Sequence, residues 1–327
     1  MKTIIPVAGV GIRLRPHTLT KPKVLLNVAG KPMIHHIIEQ LIREKITTQI
    51  IFVTGYLGNK IEKYIRHTFK FNFKFIVQKE PLGLGHAIHC AKSAFRKKDE
   101  VLIILGDTLF NVNLKQLCDN KHSVIGVKKV KDPKRFGVVE KNKKGFITRM
   151  VEKPATKQVS PSNSAIVGLY YLKNSDSLFN ALDYTINNNI KVNNEYQLTS
   201  ALEKMLLDKE KMVTYNVNGW LDCGKPETVL ETNRYLLNKS KKIYSFKGNI
   251  IKYPVSIGKN VIIKNSIIGP YATISDKCKI MNSIISNSII DKNTKIENKI
   301  IKDSIIGENA VINGYEESYN IGDYTIV

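Results

Sequence analysis

The sequence lacks several features that would place a chain in a class at once. In its 327 residues no apolar run approaches the roughly 20 residues that a membrane-spanning helix needs. The N-terminus has no signal-peptide pattern, so we expect a cytoplasmic protein with no membrane partner. The few cysteines show no C-x-x-C spacing, which argues against a disulfide framework and a zinc site. They are Cys90, Cys118, Cys223 and Cys278.

Acidic residues are also scarce, with 28 Asp and Glu against 51 Lys and Arg, a formal net charge of +23. This excess suggests nucleic-acid binding, but the basic runs lack the interleaved aromatic residues that stack on bases. Residues 248–327 contain nine Lys and eight acidic residues, so the first 247 residues carry a net +22. We therefore expect no nucleic-acid partner, and a basic first domain that acts on phosphorylated small molecules.

The first part of the chain alternates apolar strands with amphipathic helices. Residues 2–8, 49–54, 73–77 and 101–105 have strand patterns, and helices are predicted from about Met33 and over 84–96. Continuous apolar strands between helices are typical of a buried parallel sheet. The pattern predicts an α/β domain with a doubly wound, mostly parallel sheet over residues 1–236, followed by a linker over 237–247.

The second part, residues 248–327, has a different period. Isoleucines recur every five or six residues from Ile257 to Ile312, and Asn-Ser-Ile-Ile begins at positions 265, 282 and 287. An α-helix cannot keep a six-residue period on one face, because two turns take about 7.2 residues. Equivalent positions every 16–17 residues predict a hexapeptide parallel β-helix of the left-handed type. The alternative is an ordinary β-rich domain with accidental spacing.

We expect the isoleucines of this domain to form an inward apolar stack, with residues 313–327 as a cap at one end. A rigid prism of this kind suits packing against its own catalytic domain or against a symmetry mate. We therefore expect a homo-oligomer, a dimer or tetramer, whose contacts involve this domain.

A glycine loop, Gly9-Val10-Gly11, follows the first strand and could cradle a phosphate with backbone N–H groups. Taken alone it is a weak signal. Leu14 stands where a G-x-G-x-x-G fingerprint needs its third glycine, so a nicotinamide fold is not supported. No Gly-Lys-Ser/Thr follows, which excludes a Walker A loop.

The longer stretch is more specific: AGVGIRLRPHT at 8–18, PKVLL at 22–26 and GKPM at 30–33. It resembles the signature of the sugar-1-phosphate nucleotidyltransferases, the family of glucose-1-phosphate thymidylyl- and uridylyltransferases. The resemblance continues in order over residues 1–236. Its further segments are QKEPLGLGHA at 78–87, LGD at 105–107, FGVVE at 136–140, EKP at 152–154, NSAIVGLY at 163–170 and WLDCG at 220–224. Ile12 and Thr108 depart from the family's usual residues.

The resemblance implies attack of a sugar-1-phosphate oxygen on the α-phosphate of UTP or dTTP, with release of pyrophosphate. Glucose-1-phosphate is the default sugar, and the choice of sugar and pyrimidine stays open. Because the nucleophile is already anionic near pH 7, the site must mainly neutralise the phosphates and hold them in line. The catalytic cations implied by the resemblance are Arg13, Lys23 and Lys153.

The same resemblance implies three groups of binding residues. Asp107 and Asp222 would hold Mg²⁺, which prefers oxygen ligands. Gln78 would read uracil or thymine, because its amide can both donate and accept. The nucleotide-binding residues are Ala8, Gly9, Gly11, Gln78 and Gly83. The sugar-phosphate-binding residues are Gly137, Glu152, Lys153, Ile166 and Tyr170.

Two other functions are weighed. A bifunctional enzyme that also transfers an acetyl group would rely on a histidine base in the β-helix, and the last histidine is His122. A non-catalytic regulatory or assembly subunit would be expected to lose its charged site residues, and Lys23, Asp107, Lys153 and Asp222 are all present. The phosphoryl chemistry needs no imidazole, so we expect the histidines, His86 among them, to be structural or surface residues.

Overall fold

The computed structural model describes residues 1–314, and these form two compact units. The first unit comprises Met1–Leu26 and Pro32–Gly224, and the second comprises Asn27–Lys31 and the chain from Lys225 onward. Among the described residues, no helix is long and apolar enough to cross a bilayer.

Thirteen strands and six helices lie before Lys225. The strands are β1 (Lys2–Val7), β2 (Asn27–Val28), β3 (Lys31–Pro32), β4 (Gln49–Thr54), β5 (Phe73–Val77), β6 (Val101–Ile104), β7 (Thr108–Asn111), β8 (Ser123–Lys129), β9 (Gly137–Lys141), β10 (Ile147–Glu152), β11 (Ser164–Leu172), β12 (Met212–Asn216) and β13 (Gly219–Asp222). The helices are α1 (Met33–Glu44), α2 (Gly58–Thr68), α3 (Leu84–Cys90), α4 (Leu114–Cys118), α5 (Ser175–Asn187) and α6 (Leu198–Leu207). Short 3₁₀ turns lie at Ile12–Leu14, Lys23–Leu25 and Lys92–Ala94.

The first unit is built on a nine-stranded sheet in the order β10-β9-β11-β6-β1-β4-β5, with β8 joined to β11 and β12 joined to β8. Strands β6, β1, β4 and β5 are mutually parallel, and Ile4 of β1 lies between Ile51 and Ile103. All three side chains are fully buried. The predicted α/β sheet is confirmed. The structure adds that β11 runs antiparallel to β6, β8 and β9.

The two predicted helices differ in how closely they match. In α1 the residues Ile34, Ile37, Ile38 and Leu41 are buried, as their spacing predicts. Ile42, which the same spacing places on that face, is only partly buried, and Met33 is buried in addition. Helix α3 ends at Cys90 and is therefore shorter than the helix predicted over 84–96. A 3₁₀ turn over Lys92–Ala94 follows, and Phe95 is extended with φ −107° and ψ 147°, so the chain has left the α-helical conformation before residue 96.

As far as Gly314, the second unit contains helix α7 (Pro226–Asn238) and twelve short strands in three parallel sheets. The first sheet consists of β14 (Ile250–Ile251), β17 (Ile267–Ile268), β20 (Ile284–Ser286) and β23 (Ile300–Lys302). The second consists of β15 (Ser256–Ile257), β18 (Thr273–Ile274), β21 (Ile289–Ile290) and β24 (Ile305–Ile306). The third consists of β16 (Ile262–Lys264), β19 (Lys279–Met281), β22 (Lys295–Glu297) and β25 (Val311–Asn313). The predicted β-helix is confirmed.

The inward isoleucines form the predicted stack. In the second sheet Ile257 lies opposite Ile274, which lies opposite Ile290, so one coil takes 16–17 residues. The buried members are Ile257, Ile263, Ile268, Ile274, Ile280, Ile285, Ile290, Ile296 and Ile301, and Ile306 and Ile312 pack partly buried against them.

The boundary between the units differs from the expected one at 236–248, because α7 and residues 27–31 belong with the β-helix. The buried Asn233 of α7 accepts from Thr273 Oγ1 at 2.7 Å and donates to the Tyr271 carbonyl at 3.1 Å. Asn27 donates to Ser275 Oγ and to Asp291 Oδ1, each at 3.1 Å. Most of the expected cap, residues 315–327, lies outside the described residues.

Candidate active site

The glycine loop lies where β1 ends and turns the chain toward Lys23. Gly11 has a φ of +72°, and a Cβ there would lie 3.1 Å from both Lys23 Cβ and Thr18 Cγ2. Thr18 Oγ1 also donates to the Gly11 carbonyl at 2.9 Å. Gly11 is therefore required by the close approach of the Lys23 segment, which places Lys23 at the carboxyl end of the parallel strands, where open α/β sheets bind ligands.

Lys23 forms an ion pair with Asp107, which lies in the turn between β6 and β7. Lys23 is largely buried, Asp107 is about one third exposed, and Thr108 Oγ1 donates to Asp107 Oδ1 at 3.3 Å. Burial acts to raise the pKa of Asp107, but the charge and hydrogen bond of Lys23 outweigh it and lower that pKa. Asp107 is therefore ionised near neutral pH.

A two-stranded ribbon brings a second carboxylate beside the first. Strands β7 and β13 pair antiparallel with Asp222 opposite Thr108, and the Cys223 N–H donates to the Asp107 carbonyl at 3.1 Å. Burial and the negative charge of Asp107 raise the pKa of Asp222, although Lys23 and Arg13 act in the opposite direction. The two neighbouring carboxylates are therefore shifted in opposite directions, the pKa of Asp107 downward and that of Asp222 upward.

Two cavities open beside these charges. The first has a volume of about 480 Å³, and the predicted residues that line it are Ala8, Gly9, Arg13, Lys23, Gln78, Gly83 and Asp107. The second has a volume of about 210 Å³, and the predicted residues that line it are Arg13, Asp107, Gly137, Glu152, Ile166, Tyr170 and Asp222. Both cavities include Arg13 and Asp107, so most of the expected nucleotide and sugar-phosphate residues lie in two cavities that share these two charged residues.

Glu152 is held in a defined position in the second cavity. Its Oε2 accepts from Thr199 Oγ1 at 2.7 Å, and a Cβ on Gly137 would lie 3.0 Å from that same oxygen. Gly137 therefore leaves room for the carboxylate, which is mostly buried. Lys153, in contrast, lines neither cavity: its Nζ lies 3.6 Å from Glu152 Oε1, and its side chain is 42% exposed. Gly11 also lines neither cavity.

A family model described as nucleotidyl transferase matches residues 2–239. The chain belongs to the nucleotidyl transferase family. The match covers the whole region over which the resemblance to sugar-1-phosphate nucleotidyltransferases was read, and that resemblance is confirmed.

Relatives of this nucleotidyl transferase include two archaeal proteins. It is 35% identical over 269 residues to the bifunctional protein GlmU of Methanococcus maripaludis, covering 82% of this chain and 61% of that protein. It is 32% identical to a bifunctional sugar-1-phosphate nucleotidylyltransferase/acetyltransferase of Sulfurisphaera tokodaii, and the match covers 89% of this chain and 75% of that protein. A UDP-glucose pyrophosphorylase complexed with UDP-glucose matches with a TM-score of 0.60 and 27% identity, over 73% of this chain and 99% of that structure.

One segment that contributes to both cavities is not predicted from the sequence. Residues 195–199 contribute Glu195 to the first cavity and Gln197 and Thr199 to the second. The Tyr196 N–H donates to the Leu82 carbonyl at 2.8 Å, and the Gly85 N–H donates to the Tyr196 carbonyl at 2.7 Å. More than a hundred residues separate this segment from the loop that it contacts, and its sequence, EYQLT, has no distinctive motif.

The two aspartates of this transferase fit a magnesium ion. Among residues 1–314 no group of three or more His, Cys, Asp and Glu side chains is placed to hold a metal. Mg²⁺ is commonly bound through one or two carboxylates, with water and substrate phosphates as the other ligands. Asp107 and Asp222 supply such a pair, and a bound cation would favour the ionised form of Asp222, whose pKa is raised by burial and by the charge of Asp107.

Proposed function

We propose that the protein transfers a uridylyl or thymidylyl group from UTP or dTTP to a sugar-1-phosphate, with glucose-1-phosphate as the first candidate, and releases pyrophosphate. The observation that carries this proposal is the shared wall of the two cavities. Arg13 and Asp107 line both, and Lys23 is paired with Asp107. Two phosphorylated substrates bound in these cavities would meet at that cluster.

The chain's task in this reaction is electrostatic. A sugar-phosphate oxygen is already a nucleophile at neutral pH, so the barrier comes largely from bringing two anionic phosphates together in line. Arg13 lines both cavities and can donate to phosphate oxygens in either, and Lys23 lines the first. Mg²⁺, when held by Asp107 and Asp222, would neutralise phosphate charge and act as a Lewis acid.

The two cavities orient the rest of the substrates. Gln78 and Gly83 form part of the first wall, where we place the base. In the second, Glu152 keeps acceptor capacity beyond its bond from Thr199, and we assign that capacity to sugar hydroxyl groups. Lys153 follows Glu152 directly, and we propose that its exposed side chain reaches the sugar phosphate once that substrate is bound.

A pyrophosphate-release assay tests the proposal. UTP, dTTP, CTP, ATP and GTP are each paired with glucose-1-phosphate, galactose-1-phosphate and a 2-acetamido sugar 1-phosphate, because one relative's name includes acetyltransferase. We expect turnover with UTP or dTTP, and its loss in Lys23→Ala. Turnover with no pair would reject the proposal and favour a regulatory or assembly subunit.

We do not extend the proposal to acetyl transfer. The chain spans 61% of the length of the GlmU proteins of Methanococcus maripaludis that it matches, and each face of its described β-helix has four strands. No histidine lies in residues 248–327 to serve as a base. Acetyl-CoA consumption in the presence of an amino sugar phosphate would contradict this restriction.

We also propose a homo-oligomer formed through one face of the β-helix. In the first sheet Ile250, Ile267, Ile284 and Ile300 stack outward in register, and Ile250 and Ile300 are 55% and 78% exposed. A ladder of outward isoleucines is an apolar patch of the kind that marks an interface. A second copy is the occupant that fits, because residues 248–327 are nearly neutral whereas the first 247 residues, at +22, repel their counterpart.

A further inference from the structure

The hydrogen bonds of Gln78 limit what it can offer a ligand. Its Nε2 donates to the Gly83 carbonyl at 3.2 Å and contacts His86 Nδ1 at 3.0 Å. A primary amide has only two N–H groups, so both are used within residues 78–86. The Gly83 carbonyl can only accept, which fixes the amide with its nitrogen on that side. The side chain, only 7% exposed, therefore has the acceptor Oε1 left for a ligand in the first cavity.

His86 must be neutral for this arrangement to hold. To accept from Gln78 its Nδ1 carries no proton, so the ring proton is on Nε2. Burial lowers the pKa of His86, and the charge of His89 acts in the same direction. The carboxylate and backbone oxygen of Glu80 act in the opposite direction without reversing the shift. His86 is thus held in the state that accepts.

We propose that His86 is a positioning residue that makes Gln78 an acceptor-only reader of the base, and so selects uracil or thymine over cytosine. The inference rests on the proposed function. Uracil and thymine present a donor at N3–H, which Gln78 Oε1 can accept, whereas N3 of cytosine is itself an acceptor. Without His86, one amide N–H becomes free, and the amide can turn to donate to cytosine.

From the sequence alone, the expected role of His86 is structural or at the surface. A structural role predicts that removing the imidazole weakens all nucleotides alike or lowers stability. A positioning role predicts a change in the ratio of kcat/KM between nucleotides whose bases differ at N3. The two roles are therefore distinguished by nucleotide selectivity and not by overall nucleotide affinity.

The experiment compares kcat/KM for UTP, dTTP and CTP in three variants, with direct titration of each nucleotide in the absence of sugar phosphate. His86→Leu should raise KM for UTP and lower the UTP-to-CTP ratio by about tenfold or more, with kcat nearly unchanged. His86→Asn, whose Oδ1 can stand in for Nδ1 as acceptor, should restore most of the ratio. His89→Leu is the matched control: His89 lies on the same helix, its Nε2 is 2.9 Å from Asp183 Oδ1, and it should leave selectivity unchanged.

A second measurement tests the contact independently of turnover. In Gln78→Glu a carboxylate replaces the amide that faces His86 Nδ1, so NMR titration should show the pKa of His86 raised by about one unit or more. An unchanged UTP-to-CTP ratio in a folded His86→Leu protein would overturn the selectivity role. An unchanged His86 pKa in Gln78→Glu would overturn the contact, even if His86→Leu does not fold. Absence of turnover with every nucleotide would instead reject the proposed function.

Discussion

The two units of this chain differ in whether their structure repeats along the sequence. In the β-helix each face position recurs every 16–17 residues, so a single isoleucine has equivalents one coil above and below. In the first unit each residue of the Lys23, Asp107 and Asp222 cluster occupies a position without an equivalent. Repeats allow the architecture to be predicted from the sequence, whereas the candidate active site depends on single residues at strand ends and turns.

Positive φ angles show the same contrast. The β-helix places Asn265, Asn282 and Asn298 at φ near +50°, and their side chains hydrogen-bond in a ladder. Asparagine tolerates that left-handed region, and here its amide stabilises the stack of coils. Gly83 in the first unit has a φ of +106°, and a Cβ there would lie 2.7 Å from the Tyr196 carbonyl oxygen. That position needs glycine, because the site is assembled by close approach of two segments.

The largest effect is expected at the proposed metal site, whose two carboxylates, Asp107 and Asp222, lie in the first unit. Excess chelator should abolish activity, and Asp107→Asn should lower kcat at least about tenfold, a barrier increase of about 1.4 kcal/mol or more. The substitution keeps the side-chain shape but removes the charge that pairs with Lys23 and would hold Mg²⁺. Steady-state kinetics with and without added Mg²⁺ measures both effects.

Asp208→Asn is the control for this prediction. Asp208 is exposed and pairs with Lys204 in the last turn of α6, outside both cavities. Its replacement should leave kcat unchanged. Full activity in chelator would contradict the metal assignment.

A smaller effect is expected at two adjacent residues, Glu152, which lines the second cavity, and Lys153, which lines neither cavity. Lys153→Ala should raise KM for sugar phosphate and lower kcat, because a charge near the reacting oxygen is lost. Glu152→Ala should mainly raise that KM, because bonds to sugar hydroxyls persist from ground state to transition state. Titrating each substrate while the other is saturating separates the two outcomes. If Lys153→Ala changes only nucleotide affinity, its placement at the sugar phosphate is wrong.

The site could be predicted from sequence where one segment carries both a motif and a function. Asp107 follows an apolar strand and Gln78 follows another, so both fall at the ligand-binding edge of a parallel sheet. Thr199 and Tyr196 could not be found in this way, because they act through contacts with Glu152 and the loop near Gly83. Nor does the sequence show that both N–H groups of Gln78 are already used.

The fold shows a similar limit. Isoleucine spacing predicts the β-helix interior almost residue by residue, because each coil repeats the same environment. The sequence does not show that α7 belongs to the same unit as the β-helix, because this depends on hydrogen bonds of Asn233 to Tyr271 and Thr273, about 40 residues away. Asparagine is common in this chain, and nothing local distinguishes the one that is fully buried.

A third prediction separates stability from activity. Ile280→Ala should lower the free energy of unfolding of the β-helix by about 2–5 kcal/mol, because Ile280 is fully buried in a close-packed stack. At 25 °C kcat should be unchanged, because every proposed site residue lies in the first unit. Denaturant unfolding and kinetics on the same sample test both parts. Ile262→Ala, at a 43% exposed position, should change stability by no more than about 0.5 kcal/mol.

The smallest expected effect on catalysis belongs to the outward face of the β-helix. Ile284→Lys combined with Ile300→Lys should lower the oligomeric state, because two charges replace apolar side chains on neighbouring rungs of the exposed ladder. Size-exclusion chromatography with light scattering measures the change, and kcat per chain should be unaffected. Truncation after Phe246 should also lower the oligomeric state or the solubility. The truncation would also remove the hydrogen-bond partners of Asn233, Tyr271 and Thr273. The point substitutions therefore test the outward face of the β-helix more specifically.

Ile262→Lys is the matched control for this face. It is also an outward isoleucine, but it belongs to the third sheet, where its neighbour on the next coil is Lys279. A single charge there should leave the assembly intact, since that face already carries lysines. If the full chain is monomeric, or if Ile262→Lys disrupts assembly as much as the double variant, the ladder of β14, β17, β20 and β23 is not the interface. Loss of assembly in the double variant alone would assign self-association to the repetitive unit and leave the chemistry to the other.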